Sequence, residues 1–414
     1  MISNSGSICF SFPVLNGVRS GALLLAYRLI CGFVEKGYGV KVIDYKSGLL
    51  KSLLDESEVK YSFVDLESEG WGYSILSNDV VFGFNNDIYT YPFIFENNPR
   101  LFFYDVYPPF WSNFLRPKGY VVEWLDSVVS SVYLKSSLFS SAIAVMEPVS
   151  VRMLQSRFPS VEFNSVPVVP VAVKVLPVEV KAYLENKRSR ITCIGRSELW
   201  KIRPLAKLID DVLKYELASA VTLNLVLSDI GIGVRMLERE LGCKLSDTGL
   251  DIRLHENLES NEIEKIILEE TDVGFAMGTS ALEFARLKCP VLLADVSSNS
   301  FPDNYLYKWL YEVEPGCLGL DLDADINHLR LAEGVSLATA LEKLSSAYVE
   351  IANRCYEHVS CYHSLAGNVS KILSAVEGSC LRSNDIKALM PWVYFKAQEL
   401  RRKFVWKGKY LERR

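Results

Sequence analysis

Two segments in the second half of the chain hold residue types that bind anions. In the first, an apolar run from Ile191 ends at Gly195, followed by Arg196 and, five residues further on, Lys201. An arginine binds a diphosphate through its planar fork, and a lysine adds a point charge. This spacing predicts a diphosphate site at the mouth of a strand–loop–helix unit; the alternative is an exposed basic loop.

The second segment, Asp272 to Asp295, has the pattern of one strand–helix–strand unit. Gly278 follows its first strand, where a glycine lets a ligand approach the backbone closely. The next helix is expected to begin with three amides that lack acceptors, those of Thr279, Ser280 and Ala281. Free amides at the start of a helix bind anions, so this unit also predicts a diphosphate site.

Glu283 lies one turn into the same helix. A carboxylate is unsuited to binding phosphate, but it accepts hydrogen bonds from two vicinal sugar hydroxyls. The alternative is structural, because Ser280 and Glu283 have the spacing of a capping box, in which both side chains bond to amides at the end of the helix. The sequence leaves both interpretations open.

The elements that must position these residues follow an α/β pattern. In the first half we predict strands and helices at Ile8–Phe12, Ala22–Lys36, Val40–Tyr45, Val80–Phe84, Leu101–Tyr104, Ser140–Met146 and Val149–Arg157. In the second half we predict them at Arg190–Ile194, Arg203–Tyr215, Thr222–Leu227, Val234–Leu241, Asp251–His255, Asn261–Glu270, Asp272–Met277, Ser280–Lys288, Pro290–Asp295 and Val335–Tyr356, with a loop at Gly231–Gly233. Short strands joined by helical crossovers form parallel, doubly wound sheets.

Length and composition favour two domains. The chain has 414 residues, 49% hydrophobic and 23% charged, which is enough apolar material for two cores and argues against disorder. Prolines concentrate near the middle, at Pro167, Pro170 and Pro177. We expect an N-terminal domain at 1–168, a linker at 169–188, a C-terminal domain at 189–375 and a helical tail at 376–414.

Together the two anion-binding segments resemble the donor domain of GT-B glycosyltransferases, closest to the family 4-like (group 1) enzymes of bacterial surface polysaccharide assembly. The shared pattern is a strand with Gly-Arg-x4-Lys and, about eighty residues later, Gly-Thr-Ser-x-x-Glu-x5-Cys-Pro-Val. The resemblance implies an α/β fold of two Rossmann-like domains facing across a cleft, with parallel sheets and a helical C-terminal segment. It also implies that Arg196 and Lys201 contact the donor diphosphate and that Glu283 contacts the ribose of the nucleotide.

Two positions depart from this family. Phe275 stands eight residues before Glu283, where many sugar-retaining members have a first glutamate, and Ile202 follows Lys201, where a glycine is usual. These departures leave retention or inversion of the sugar open.

The resemblance implies an enzyme that moves a sugar from a nucleotide-sugar donor to a glycan or lipid-linked acceptor, in polysaccharide or lipopolysaccharide biosynthesis. The nucleotide sugar is then a co-substrate. No metal or other cofactor is required, because cations and amides stabilise the departing diphosphate. The alternatives are a nucleotide-sugar epimerase with the same fold and a catalytically inert GT-B-like binding subunit.

Candidate acceptor-side residues follow two strands of the first half. Asp105 follows a predicted strand and is the candidate general base, because all four histidines lie outside this half; the alternative is that it caps a turn. Tyr107 and Trp111 come next, and their rings are suited to stacking on sugars. The loop after the first strand supplies further candidates, namely Asn16, Gly17, Arg19 and Gly21.

Charge is concentrated at the C-terminus. The formal net charge is −5, yet from Arg382 onward there are ten lysines and arginines against three acidic residues. This basic tail also carries aromatic residues, so it suits an anionic membrane surface or a helix that crosses back to the first domain. A basic patch confined to the tail argues against a nucleic-acid partner.

Cysteine usage and the termini indicate the compartment. Nine cysteines without paired spacing are typical of a reducing environment. The start of the chain shows no secretory signal, and no apolar run of about 18 residues predicts a spanning helix. We expect a cytoplasmic protein, with peripheral contact to the inner face of the membrane as an additional expectation for the tail.

Two other groups have the residue types of metal sites. The first contains an Asp-x-Asp pattern, at Asp321, Asp323 and Asp325, but it falls after the second sheet, where a solvated loop is expected. The second can bind zinc in principle, with Cys355, His358, Cys361 and His363. A helix would turn positions 361 and 363 to different faces, so we expect no metal site.

Overall fold

A computed structural model describes residues 6–12, 21–68, 71–84, 96–106, 135, 140–159, 161–163, 165–181, 188–297, 299, 301–323 and 333–389. They form two compact units. The first contains the described residues up to Val169 and those from Val369 onward, and the second runs from Pro170 to Asn368. The chain therefore passes between the units twice.

The first unit is built on a parallel sheet. Its strands are β1 (Ser7–Ser11), β2 (Gly39–Asp44), β3 (Ser62–Asp65), β4 (Val80–Gly83), β5 (Arg100–Asp105) and β6 (Ile143–Val145), in the spatial order β3-β2-β1-β4-β5-β6. Its helices in this part of the chain are α1 (Gly21–Glu35), α2 (Leu49–Asp55) and α3 (Pro148–Arg157). Helix α2 and strand β3 are short and were not predicted.

Continuous apolar runs, rather than alternating ones, form this sheet because helices cover both faces of a parallel sheet. Every residue of β4 is buried. On one face the aromatic rings of Phe10, Phe33 and Phe82 pack together, with the centroids of Phe10 and Phe82 4.6 Å apart. These rings form part of the core of the first unit.

The second unit repeats this architecture. Its strands are β7 (Ser189–Gly195), β8 (Val221–Leu227), β9 (Asp251–Glu256), β10 (Val273–Ala276), β11 (Val291–Leu293) and β12 (Lys308–Trp309), in the order β12-β11-β10-β7-β8-β9. All pair in parallel except β12, which is antiparallel to β11 and was not predicted. The helices are α4 (Leu199–Lys214), α5 (Ile230–Leu241), α6 (Ser260–Glu270), α7 (Thr279–Ala285) and α8 (Leu337–Tyr362).

The winding of this second sheet reverses between β7 and β10. From β7 the chain moves outward to β8, whereas from β10 it moves outward to β11 on the other side. Because crossovers of this kind are right-handed, α4 and α7 cover opposite faces. Open α/β sheets bind ligands in the crevice at such a reversal, outside the carboxyl ends of the strands.

Two helices begin four residues earlier than predicted. Helix α5 begins at Ile230, so the glycines at Gly231 and Gly233 lie in a helix and not in a loop; the Asp229 carboxylate is its N-cap and accepts a hydrogen bond from the amide of Ile232. A capping carboxylate stabilises the start of a helix enough to offset the poor helix propensity of glycine. Helix α4 begins at Leu199, which places Lys201 in its first turn.

The two chain crossings are held together within the second unit. Asn368 donates a hydrogen bond to the carbonyl of Pro170 at 2.8 Å, and Val173 pairs with Ser364 in an isolated bridge. The buried ring of His363 lies with Nδ1 2.8 Å from the carbonyl oxygen of Val171. The residues after Pro170 therefore pack against the end of α8.

The chain then returns to the first unit through α9 (Leu365–Gly378) and α10 (Ser383–Leu389). A side chain at Gly32 of α1 would meet Val369 at 2.6 Å, so α1 and α9 pack closely. The predicted tail from Met390 onward lies outside the described residues. No helix in the described part of the chain is long and apolar enough to cross a membrane.

The contact between β10 and α7 gives a first prediction. A Cβ at Gly274 would lie 2.5 Å from the ring of Phe284, so we expect Gly274→Ala to lower the free energy of unfolding by about 1–3 kcal/mol. The control is Gly231→Ala, where the new methyl group makes only ordinary contacts. Urea unfolding of both variants checks this; equal midpoints would contradict the packing described.

Candidate functional site

The two predicted anion-binding segments lie at one edge of the second sheet. Strand β7 pairs in parallel with β10, and Thr192 is opposite Gly274. Continuing this register places Gly195 and Arg196 opposite Met277 and Gly278. Both loops therefore leave the carboxyl ends of adjacent strands, at the reversal of the sheet.

Gly278 has a backbone conformation that requires glycine. Its φ is +61° and its ψ is −142°, a region that side chains with a Cβ rarely adopt. Apart from Gly278 and its two chain neighbours, no atom of the described residues lies within 4 Å of the position a Cβ would take. The backbone at Gly278 is thus open to close approach by a ligand.

The start of α7 offers fewer free amides than predicted. The amide of Ala281 donates to the carbonyl of Gly278 at 3.2 Å, so the prediction that it lacks an acceptor is wrong. The tight first turn brings these two groups together. Within the described part of the chain, the backbone amides of Thr279 and Ser280 have no acceptor.

The capping-box alternative for Ser280 and Glu283 is not what the structure shows. The N-cap of α7 is Gly278, which has no side chain, and this end of the helix has no side-chain cap. Instead, the Glu283 carboxylate is paired with Arg286, whose Nε lies 2.5 Å from Oε2. Sequence reasoning missed Arg286, although its spacing from Glu283 is that of neighbours on one helix face.

The two predicted cations flank an aromatic ring. Trp200, whose exposed fraction is 37%, lies between them in sequence, with its ring centroid 5.9 Å from Cζ of Arg196 and 5.0 Å from Nζ of Lys201. Arg196 also pairs with Glu198 at 3.0 Å. Such cation–π contacts keep the two like charges beside one surface. Trp200 was not predicted, although an aromatic residue between two cations was a signal for it.

Lys201 is held in an environment that disfavours its charge. Burial lowers the pKa of Lys201 to about 8, and the neighbouring Arg196 charge contributes in the same direction, while Glu198 opposes the shift. No carboxylate of the described residues lies within 4.0 Å of its ammonium group. An anion bound here would restore the missing charge partner.

A pocket lies at this edge of the sheet, where β7 and β10 end. From β7 and α4 it is lined by Gly195, Arg196 and Lys201, and from the end of β10 by Ala276 and Met277. None of the described residues that line it belongs to α7, which covers the opposite face. The structure thus brings the cations together with the end of β10, and it brings Gly278 to the same edge.

The acceptor-side candidates are only partly described. Asp105 was predicted to follow a strand, but it is the last residue of β5 and is fully buried. Glu147, missed by sequence reasoning, follows the neighbouring strand β6, and burial together with the charges of Glu147 and Asp105 raises the pKa of Tyr104.

The remaining first-half predictions divide in two. Gly21 was predicted in a loop, but it is the first residue of α1, because the helix begins where its apolar periodicity begins. The other predicted residues, Asn16, Gly17, Arg19, Tyr107 and Trp111, lie outside the described residues.

The two possible metal groups have other contacts. Asp323 accepts hydrogen bonds from Ser297 and Asn299, both at 2.9 Å, and Asp325 lies outside the described residues. In the other group, the ring of His363 contacts a backbone carbonyl and Cys361 is exposed. The described residues contain no group of three or more His, Cys, Asp or Glu that could hold a metal ion.

Comparison with known proteins identifies the fold. No protein-family model matches the chain, and no curated protein matches its sequence significantly. A structure titled lipopolysaccharide outer core galactosyltransferase WaaB is similar, with a TM-score of 0.56 and 10% identity over 90% of this chain and 99% of that one.

Two other solved structures are similar to this chain over nearly the same extent. HepE of Anabaena, in complex with UDP and glucose, has a TM-score of 0.57 and 12% identity over 90% of this chain and 99% of that chain. Trehalose-6-phosphate synthase OtsA has a TM-score of 0.56 and 12% identity over the same shares. These are glycosyltransferases of the GT-B class. The predicted GT-B fold, with its two α/β domains, is thereby confirmed.

The environment of Lys201 gives a second prediction. Replacing a partly buried cation by an apolar side chain removes its desolvation, so we expect Lys201→Met to stabilise the unliganded protein at pH 7 by about 1–2 kcal/mol. The control is Lys265→Met, which removes an exposed lysine from α6. Urea unfolding from pH 7 to pH 10.5 measures both.

The lowered pKa of Lys201 also predicts how the free energy of unfolding changes with pH. The unfolded chain holds the Lys201 proton up to its ordinary pKa of 10.5, whereas the folded chain releases it near 8. Between these values the unfolded state binds more protons, so the stability of the wild type rises with pH, and Lys201→Met loses this rise. An identical pH profile in wild type and Lys201→Met would contradict the predicted environment.

Proposed function

We propose that this protein is a glycosyltransferase that moves a sugar from a nucleotide-sugar donor to a glycan or lipid-linked acceptor. The second unit binds the donor in this proposal. Its main support is the meeting of two crossovers at one crevice: the cations after β7 and the glycine turn after β10 belong to adjacent parallel strands. The GT-B fold adds independent support.

In this site the diphosphate lies against Arg196 and Lys201 and near the amides of Thr279 and Ser280. Negative charge grows on the diphosphate as the bond to the sugar breaks, and fixed cations stabilise that charge without reorganising. Lys201 suits this role because its charge has no carboxylate partner within 4.0 Å among the described residues. The protein itself can thus supply the positive charge that the leaving group needs.

On the acceptor side, Asp105 is the proposed general base if the reaction inverts the sugar. A base must deprotonate the attacking hydroxyl, and Asp105 ends a strand at the carboxyl edge of the first sheet. Tyr107 and Trp111 follow it in sequence and are proposed to stack on the acceptor. Asn16, Gly17 and Arg19 follow β1 in sequence and are proposed to contact the donor phosphates or the acceptor, because β1 lies next to the reversal of that sheet.

The cellular setting is proposed from composition and from the fold. The structure titled WaaB is a lipopolysaccharide galactosyltransferase, which agrees with a role in polysaccharide or lipopolysaccharide assembly. The basic, aromatic tail is proposed to contact an anionic membrane surface on the cytoplasmic side, where lipid-linked acceptors are held.

Donor hydrolysis tests the function directly. We expect the purified chain to release sugar slowly from one class of donor among UDP-, GDP-, ADP-, dTDP- and CMP-sugars, and Lys201→Met to lower kcat/KM for that release by about 100-fold. Lys265→Met, on the surface of α6, is expected to match the wild type. Product analysis by chromatography measures both.

Two results would contradict the proposal. If no donor is hydrolysed or transferred, the chain is a binding subunit. If a donor returns as its epimer without release of the sugar, the chain is an epimerase of the same fold.

A further inference from the structure

Arg286 contacts two carboxylates at the end of the helix that begins at the proposed donor site. It directly follows α7, and its side chain is only 8% exposed. Its Nε lies 2.5 Å from Oε2 of Glu283, and its Nη2 pairs with Glu264 of α6. A single guanidinium thus joins carboxylates from two helices.

The arrangement fixes the orientation of Glu283. A buried guanidinium needs charged partners, because leaving it unpaired costs several kcal/mol. Its planar fork donates hydrogen bonds to those partners only in certain directions, so each carboxylate loses rotational freedom. The backbone amide of Arg286 donates to the carbonyl of Leu282 at 2.9 Å, which ties the base of the side chain to α7.

The pairing also changes the charge that a ligand meets. Glu283 is 18% exposed and lies one turn into the helix that begins at the crevice proposed to bind a diphosphate. An unpaired carboxylate there would repel the ligand through Coulomb forces. With Arg286 paired to Oε2, much of the charge of the Glu283 carboxylate is compensated.

We propose that Arg286 is a positioning residue for the nucleoside part of the donor: it orients the Glu283 carboxylate and offsets its charge, so that the carboxylate accepts hydrogen bonds from the vicinal hydroxyls of a ribose. This inference rests on the proposed donor site. It predicts that Glu283, oriented by Arg286, binds the nucleoside. Arg196 and Lys201 bind the diphosphate.

Comparing two probes separates these contributions. Calorimetric titration measures the affinity of a nucleoside diphosphate, the tightest binder among UDP, GDP and ADP, and of inorganic pyrophosphate, which has no ribose. We expect Arg286→Gln to lower the affinity for the nucleoside diphosphate at least tenfold and to change the affinity for pyrophosphate less than threefold. Glu283→Gln should behave alike, and the double variant should lose little more than either single variant.

The control is Arg253→Gln. Arg253 is also an arginine of the second unit in an ion pair, 3.5 Å from Glu270, but it lies half exposed on β9. We expect it to bind both probes as the wild type does. Retained pyrophosphate binding by Arg286→Gln also shows that this variant is folded.

A second measurement begins with the wild type alone. We expect the wild type to bind the ribonucleotide at least tenfold more tightly than its 2′-deoxy analogue, and we expect Arg286→Lys to reduce that ratio, because a lysine cannot reproduce the fork. Equal affinity of the wild type for the two nucleotides would overturn the inference.

The outcomes distinguish this inference from the function on which it rests. If the wild type binds no nucleoside diphosphate, the proposed donor site is wrong and the inference falls with it. If the wild type binds one and Arg286→Gln binds it equally well, or loses pyrophosphate to the same extent, the inference is wrong while the donor site stands.

Discussion

The parallel pairing of β7 with β10 is the constraint on which the rest of the proposed site depends. These strands are distant in sequence, yet their hydrogen bonding fixes both carboxyl ends at one edge of the sheet. Because the winding reverses there, α4 and α7 leave on opposite faces and the crevice between their starts stays uncovered. Arg196, Lys201 and Gly278 therefore lie at the same edge of the sheet.

Electrostatics explains why such a site costs the free protein some stability. Lys201 is partly buried next to a second cation, so burial and repulsion both disfavour its charge. Cation–π contacts of both cations with the ring of Trp200 offset part of this cost. The same uncompensated charge becomes favourable when an anion binds, and binding energy is then concentrated on the diphosphate.

The opposite problem arises at Glu283, where a negative charge would face an anionic ligand. Arg286, directly after α7, compensates the charge of Glu283, and Glu264 of α6 is the second partner of Arg286. Positive charge is thus exposed where phosphates are proposed to bind, and negative charge is compensated where hydroxyls are proposed to bind. Strand order and helix starts together produce this division.

Sequence patterns predicted most of this architecture, because apolar strands and amphipathic helices depend on local periodicity. The strands around the site were placed within a residue or so, as with Arg190–Ile194 against Ser189–Gly195. The start of α5 was missed because the Asp229 cap outweighs the poor helix propensity of the glycines that follow it. The start of α4 was also missed, and that helix has no side-chain cap. Arg286 and Trp200 escaped prediction because their roles depend on side-chain partners that spacing alone does not specify.

The central claim is that one crevice holds a diphosphate between the cations after β7 and the turn after β10. A crystal structure of the protein grown with UDP, or with whichever nucleoside diphosphate binds most tightly, tests it most directly. The account predicts phosphate oxygens within hydrogen-bonding distance of Lys201 Nζ and of the amides of Thr279 or Ser280. Phosphates bound elsewhere, with Lys201 and Gly278 untouched, would contradict it.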